Sequence, residues 1–531
     1  MIKRFSNFFH SENSVRMASA ILLITLTISN VLGMLRDHFL ASYIPTSQLD
    51  IYFAAFRIPD LIFNFLILGA ITSAFIPVFC DFISNNKMEE GWKVTSILLN
   101  IAAVIMIFAA IVLFFLMPYL TPLVVPDFSF EKMQKTTELA RILMLTPIFF
   151  SASYIFSGVL NSFNRFVAYS FAPLVYNLSI ILGTFILGRN IGIIGVVYFV
   201  IIGAVLHMLI QLPSLFKLGF KYTFSFDYKN ASIKKIIRLM LPRTIGMGVN
   251  QLMLLVYTAI GSALAIGSIS AFNFANNIQT MPVVVLGTSF ATAVFPTLTT
   301  AFTKNETDKF VFYLNRTIRT VSYLLIPTSV AFILLRAQII RLILGSGSFG
   351  WSDTKATALA LGYFSLSLLA QGLIPLLARA FYAMKNSKTP MYISIITVAV
   401  SIAIAYPLAQ KMGVAGLALS FTIGSYINLI LLYVLLVAKY RGMLSNKVIN
   451  SVIKIVIISA ITGFIAREGM LYFANLVNMN KFIGVLEQTL LTLALGFVIF
   501  VALSYVLKLE EISWALKRKI NGKEIEGEPV Q

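Results

Sequence analysis

Five ionisable residues sit where an apolar chain should hold almost none. Arg36 and Asp37 close the first long apolar run, Asp50 opens the second, and Arg57 and Asp60 follow about two and three helical turns into it. An ionised group at the centre of a bilayer costs at least about 2.5 to 3.5 kcal/mol on insertion scales, so such groups face protein or water. Guanidinium groups hold phosphate in a bidentate fork, which makes Arg36 and Arg57 a cationic lining for an anionic head group. A second reading stands beside it. Arg57 and Asp60, three apart on one helix, can pair with each other, and Arg36 with Asp37 can sit at head-group depth. Arg243 and Arg379 fall near the cytoplasmic ends of their spans, where snorkelling to the interface is the simpler role.

Other chemistry is thin. His10, His38 and His207 are far apart, Cys80 is the single cysteine, and the carboxylates are scattered through short loops. This pattern predicts no metal site, no internal disulfide and no acid/base cluster, hence no enzyme. GSGSFG at 345–350 lacks the Lys and Ser/Thr of a phosphate loop and reads as an outer turn. Asn161, Asn177, Asn250 and Gln251 lie in or beside spans, with bridging between helices as their ordinary use.

These residues must be held by membrane helices. The chain has 531 residues, of which 58% are hydrophobic and 12% charged, and its apolar runs are repeatedly long enough to cross a bilayer. About 14 spans are expected, among them 17–36, 51–79 and 237–262. The net charge of +20 is explained by topology: most Lys and Arg fall on the N-terminal side of the spans. Both termini are therefore expected in the cytoplasm, with no role for nucleic acid.

One segment recurs. YFAAFRIPDLIFNFLILGAITSAFIP, from Tyr52 to Pro77, returns in altered form as FNFANNIQTMPVVVLGTSFATAVFP, from Phe272 to Pro296. At constant spacing Phe53 meets Phe272, Ser73 meets Thr292 and Pro77 meets Pro296, and the position of Arg57 is taken by Asn276, with Asn277 beside it. Pro59 and Pro282 predict kinks in both copies. The resulting plan is a cytoplasmic interfacial segment (1–16), a six-helix lobe (17–216), a basic cytoplasmic linker (217–236), a second six-helix lobe (237–438), two accessory helices (439–508) and a cytoplasmic tail (509–531). An even number of crossings per lobe makes the repeats parallel. The accessory pair could extend a groove for a long lipid tail.

Several segments resemble the MurJ (MviN) family, the lipid II flippases of the multidrug/oligosaccharidyl-lipid/polysaccharide exporter superfamily. They are SNVLGMLRDHFLA at 29–41, LDIYFAAFRIPDLI at 49–62, GAITSAFIPVF at 69–79, LNSFNRFVAYSFAPLVYNLSII at 160–181, VLGTSFATAVFPTLT at 285–299, GSFGWSDT at 347–354 and RAFYAMKNSKTP at 379–390. The resemblance implies an all-α polytopic protein whose two six-helix repeats form a V-shaped, arginine-lined central cavity. It also implies transport of undecaprenyl-pyrophosphate-linked disaccharide-pentapeptide from inner to outer leaflet by alternating access, in the bacterial cytoplasmic membrane.

Arg36, Asp37 and Asp50 match the family pattern. Elsewhere the chain departs from it: Asn30 replaces an arginine, Phe63 and Asn64 replace a basic pair, Leu68 replaces an acid, and Asn276 and Asn277 replace an Asp-Arg pair. Arg57 stands where the family more often has Lys. The expected substrate-binding set is Arg36, Asp37, Asp50, Arg57, Asp60, Asn276, Asn277 and Arg379. The expected partners are lipid II or a related polyprenyl-pyrophosphate sugar, membrane lipids and the cell-wall synthesis machinery. No cofactor is expected, with coupling to the membrane potential or a monovalent cation. The departures leave room for another polyprenyl-linked sugar, for small cations, or for a non-transporting scaffold of the same fold.

Overall fold

The computed structural model describes residues 15–65, 75–440, 442 and 445–512, with side chains at 15–23, 26 and 241–247 outside that description. Among the described residues every regular element is helical and no strand forms, as expected where lipid offers the backbone no other hydrogen-bonding partner. Ten helices among the described residues are long and apolar enough to cross a membrane, and an eleventh crossing arises if Trp351–Leu366 and Leu368–Ala383, bent by 45° at their junction, act as one. The sequence predicts about 14. The difference falls on 17–36 and 237–262, which lie in the helices Val15–Tyr43 and Ala231–Ser262 with some side chains undescribed, and on 51–79, where 66–74 lies outside the described residues.

Both proline-bearing copies turn π-helical at matching positions, from Asn64 in the first and from Val283 in the second, and the first carries a further break before its proline. In the first, Thr46–Ala55 ends at Phe56 and Arg57–Phe63 follows directly. Pro59 has no N–H to offer the Ala55 carbonyl, which is the hydrogen bond an unbroken helix would need there. In the second, Ser268–Pro282 runs into a π-helical stretch, Val283–Thr288, before Ser289–Thr303. The wider turn follows immediately after Pro282, whose ring crowds the preceding turn.

The chain folds into two compact units, one of residues 1–278, 343–360 and 391–424, the other of 279–342, 361–390 and 425–531. The core of the first packs Phe75, Phe79, Trp92, Ile97, Val159 and Ile233. In the second, Ile326, Ile455, Ile458, Phe500 and Leu509 form a smaller cluster. That cluster joins Thr307–Leu334 to the accessory helices Asn446–Leu476 and Phe482–Val506. It is reinforced by a buried ion pair: Arg319 donates from Nε to Glu511 at 2.6 Å and reaches Glu510 at 2.9 Å, while Ser451 donates to Glu511 at 2.5 Å.

Within the first unit a turn clamps the end of the first helix. Ser348 N–H donates to the Ser42 carbonyl at 2.9 Å, and His38 Nδ1 donates to the Ile343 carbonyl at 2.6 Å. Gly347 sits between them at φ +60°, and a Cβ there would lie 2.1 Å from the Ser42 carbonyl oxygen. Only glycine supplies both that conformation and that clearance. The GSGSFG segment is thus a structural clasp that holds the helix carrying Arg36 and Asp37.

Candidate functional site

Arg36 and Asp37 are neighbours in sequence, a spacing that does not normally bring helical side chains together. Here the arginine folds back: Nε and Nη2 donate to the same Asp37 oxygen at 3.0 and 2.7 Å, and Nη1 donates to Asn177 Oδ1 at 3.2 Å. The other Asp37 oxygen accepts from Asn277 Nδ2 at 2.9 Å. The carboxylate side chain is 2% exposed and the arginine 21%, so the arginine is the more accessible member of the pair.

Arg57 takes neutral partners. Its Nε donates to Thr258 Oγ1 at 2.6 Å and its Nη2 to Asn273 Oδ1 at 2.7 Å, while Asn273 in turn donates to the Ile269 carbonyl at 2.7 Å. Although Asp60 stands one turn away on the same helix, no Arg57–Asp60 ion pair forms among the described residues. Arg57 is buried and feels the Asp60 charge only beyond ion-pair distance, and the half-buried Asp60 carboxylate makes no hydrogen bond among the described residues. Tyr52 and Tyr176 lie within electrostatic reach of both Arg36 and Asp60, which puts the two charged helices in one neighbourhood.

Asp50 has a different position. Its Oδ2 accepts from Gly267 N–H at 2.6 Å, and its Oδ1 accepts from Ser270 N–H at 2.8 Å and Ser270 Oγ at 2.6 Å. Both oxygens therefore cap the N-terminus of Ser268–Pro282, where unsatisfied N–H groups and the helix dipole favour negative charge. Gly267, at φ +89° and with Thr46 and Asp353 close to where a Cβ would stand, makes the tight entry possible. The cap sets the rotation of this helix. Asn273 and Asn277, four apart and hence on one face, meet Arg57 and Asp37 respectively.

The structure thus brings together Arg36, Asp37, Arg57, Asp60 and Asn277, with Asp50 one layer behind them. Asn276 lies half-buried beside Asn277. Arg379 belongs to the second unit, where its Nη1 donates to the carbonyl of Pro375 on its own helix at 3.3 Å. The Arg243 side chain lies outside the described residues. Thr258, Asn273 and Ser270 were not anticipated. The spacing of Asn273 to Asn277 could have pointed to a polar face, whereas nothing near Thr258 in the sequence marks it out.

The chain matches the model for the family described as lipid II flippase MurJ over residues 40–504. It is 27% identical over 496 residues to a probable lipid II flippase MurJ of Rickettsia prowazekii (strain Madrid E), covering 92% of this chain and 97% of that protein. A lipid II flippase MurJ of Burkholderia cenocepacia is 27% identical over 419 residues, covering 76% and 80%. Among solved structures, lipid II flippase MurJ in an inward closed conformation aligns with a TM-score of 0.76 at 24% identity, covering 92% of this chain and 99% of that one. An inward-facing multidrug resistance transporter of the MATE family in the MOP superfamily aligns with a TM-score of 0.67 at 15% identity, over 80% and 98%. The structural likenesses establish the fold, and the family match extends over most of the length: the chain belongs to the lipid II flippase MurJ family.

Proposed function

We propose that this protein carries lipid II, the undecaprenyl-pyrophosphate-linked disaccharide-pentapeptide, from the inner to the outer leaflet of the bacterial cytoplasmic membrane by alternating access. The observation that carries the reading is Arg57, a buried guanidinium that hydrogen-bonds only neutral groups and has no carboxylate at ion-pair distance among the described residues, Asp60 acting on it only from further off. Burying an unpaired charge is costly unless a ligand supplies the opposite one, and a pyrophosphate supplies it with oxygens spaced for a guanidinium fork. Arg36 adds a second cation, more accessible than the Asp37 carboxylate it pairs with. Asn277 and Asn276 hold the place of the family's Asp-Arg pair with neutral amides, so the grip on phosphate rests on the first copy of the repeat.

The polyprenyl tail is assigned to the accessory helices. A cavity of about 300 Å³ lies between Thr307–Leu334, Asn446–Leu476 and Phe482–Val506, lined by Leu324, Val330, Leu334, Leu493 and Phe497 among others. Such a lining suits a hydrocarbon chain. For energy, the membrane potential acts on each charge moved with about 2.3 kcal/mol per 100 mV and favours inward movement of positive charge, so counter-movement of a monovalent cation resets the carrier. Both termini are assigned to the cytoplasm on the lysine and arginine bias.

The test is complementation of flippase-depleted cells, paired with native mass spectrometry of the purified protein against lipid II, undecaprenyl phosphate and an anionic phospholipid in competition. Selective retention of lipid II, abolished together with growth by the Arg36→Ala, Arg57→Ala double substitution at normal protein level, is the expected result. Equal retention of all three lipids would instead favour another polyprenyl-linked substrate or a scaffold role.

A further inference from the structure

The basic linker does not hang free. After the short helix Leu212–Lys217 the chain runs without regular structure to Asn230, and three contacts fasten it to the flank of Met88–Val124. Tyr222 Oη donates to Asn100 Oδ1 at 2.6 Å, Asn100 Nδ2 donates to the Ser225 carbonyl at 2.9 Å, and Thr223 N–H donates to Ser96 Oγ at 3.2 Å. Phe220 is buried, with its ring centroid 5.6 Å from that of Trp92. The docking face of the helix is therefore Trp92, Ser96 and Asn100, one turn apart.

Beyond Asn100 the same face continues through Val104, Ile107 and Ile111, all exposed, because positions four, seven and eleven further on share one side of a helix. An exposed apolar stripe on a membrane-spanning helix faces lipid. The linker is thus pinned about 6 Å from where that stripe begins, four residues at the helical rise, which is the boundary between water and hydrocarbon. Its outward side chains suit that depth. Phe224 is 78% and Tyr228 66% exposed, with Phe226 exposed and stacked edge-on against Phe224 at 5.1 Å. Lys217, Lys221 and Lys229 are exposed among them. The acids on the linker and the segments beside it include Asp227, Asp81, which is already paired with Lys235 at 3.1 Å, and Glu89 and Glu90 in the first turn of Met88–Val124, the latter 3.9 Å from Lys87. Set against them are Lys93, Lys234 and Arg238 besides the linker lysines. The surplus is positive.

We propose that residues 217–229 form an interfacial anchor that binds anionic phospholipids of the cytoplasmic leaflet: Phe224, Phe226 and Tyr228 enter the head-group boundary while Lys221 and Lys229 engage lipid phosphates. Amphipathic rings settle at this level, and the leaflet's negative surface potential draws in basic segments. The partner is a lipid surface, and the anchor is separate from the Arg36 and Arg57 cluster.

The experiment uses the full chain with Cys80→Ser as background. Phe224→Cys is spin-labelled in nanodiscs of phosphatidylcholine alone or with phosphatidylglycerol, and collision with oxygen is compared with collision with a water-soluble nickel complex. Oxygen access should dominate, and more so with phosphatidylglycerol. In parallel, native mass spectrometry counts retained phosphatidylglycerol in the unlabelled protein. Retention should fall about fivefold for each of Lys221→Ser and Lys229→Ser, and should not change for Lys135→Ser, an exposed lysine paired with Glu131 on another segment. Dominant nickel access in both membranes would overturn the anchor and leave the rings free for a protein partner. Lysine variants with unchanged phosphatidylglycerol retention would overturn the anionic-lipid assignment.

Discussion

Asp50 and Arg57 are both charged and both buried, yet their partners are of opposite kinds. Asp50 spends both oxygens on the N-terminal turn of Ser268–Pro282, so Asp50→Ala strands two buried N–H donors at about 1 to 3 kcal/mol each. The expected outcome is a lower melting temperature and reduced protein level whether or not lipid II is present. Arg57 donates only to a hydroxyl and an amide oxygen. Arg57→Met should therefore leave melting in the absence of lipid nearly unchanged while lipid II retention in native mass spectrometry falls by about tenfold or more, the loss of a hydrogen bond to a charged group. Arg57→Lys should recover part of that affinity, because the point charge remains but the fork does not. Equal effects of Asp50→Ala and Arg57→Met on melting and on retention would contradict this division of roles.

At the scale of the element, two glycines share one backbone conformation and differ in surroundings. Gly347 and Gly413 are both at φ +60°, but a Cβ at Gly347 meets the Ser42 carbonyl oxygen whereas one at Gly413 meets nothing within 4 Å. Gly413→Ala should cost about 1 to 2 kcal/mol from the left-handed conformation. Gly347→Ala should cost that plus about 1 to 3 kcal/mol for the overlap, and thermal unfolding of the two variants side by side isolates the second contribution. The accessory helices offer a parallel comparison. Glu511 is buried in its pairing with Arg319 and Ser451, while Glu510 is exposed. Glu511→Ala should destabilise by about 3 kcal/mol and Glu510→Ala by no more than about 1 kcal/mol, read as faster hydrogen exchange across 446–512. The helices themselves were legible in the sequence, since apolar runs of bilayer length admit little else. Their clamps were not, because Glu511 and Arg319 meet only through folding of distant segments.

At the scale of the whole molecule, the single cysteine reports topology. Cys80 is exposed at the far end of the second span, and the proposed orientation places it in the cytoplasm. A membrane-impermeant maleimide should leave it unlabelled in intact spheroplasts and modify it in inverted vesicles; labelling in spheroplasts would reverse the assignment of the termini. If the potential drives the cycle, collapsing it with a potassium ionophore at matched potassium should slow lipid II translocation in proteoliposomes, and an unchanged rate would remove the potential as the energy source.

The amino-acid sequence by itself determined that the chain is a bundle of membrane helices, because the cost of exposing backbone and charge to hydrocarbon leaves a long apolar run one outcome. It also singled out Arg36, Asp37, Asp50, Arg57 and Asp60, since charge within such runs has to be accounted for. Which of these groups is neutralised was a tertiary decision. Spacing along one helix favoured Arg57 with Asp60, but Thr258 and Asn273 reach the guanidinium from distant segments. Asp50 is taken by a helix end far along the chain, and Asn277 crosses to Asp37. Helical periodicity constrains neighbours three and four residues apart, whereas contacts between remote segments depend on how whole helices rotate and pack. That rotation, set here by the Asp50 cap, leaves Arg57 hydrogen-bonded to neutral groups, with Asp60 beyond ion-pair distance among the described residues.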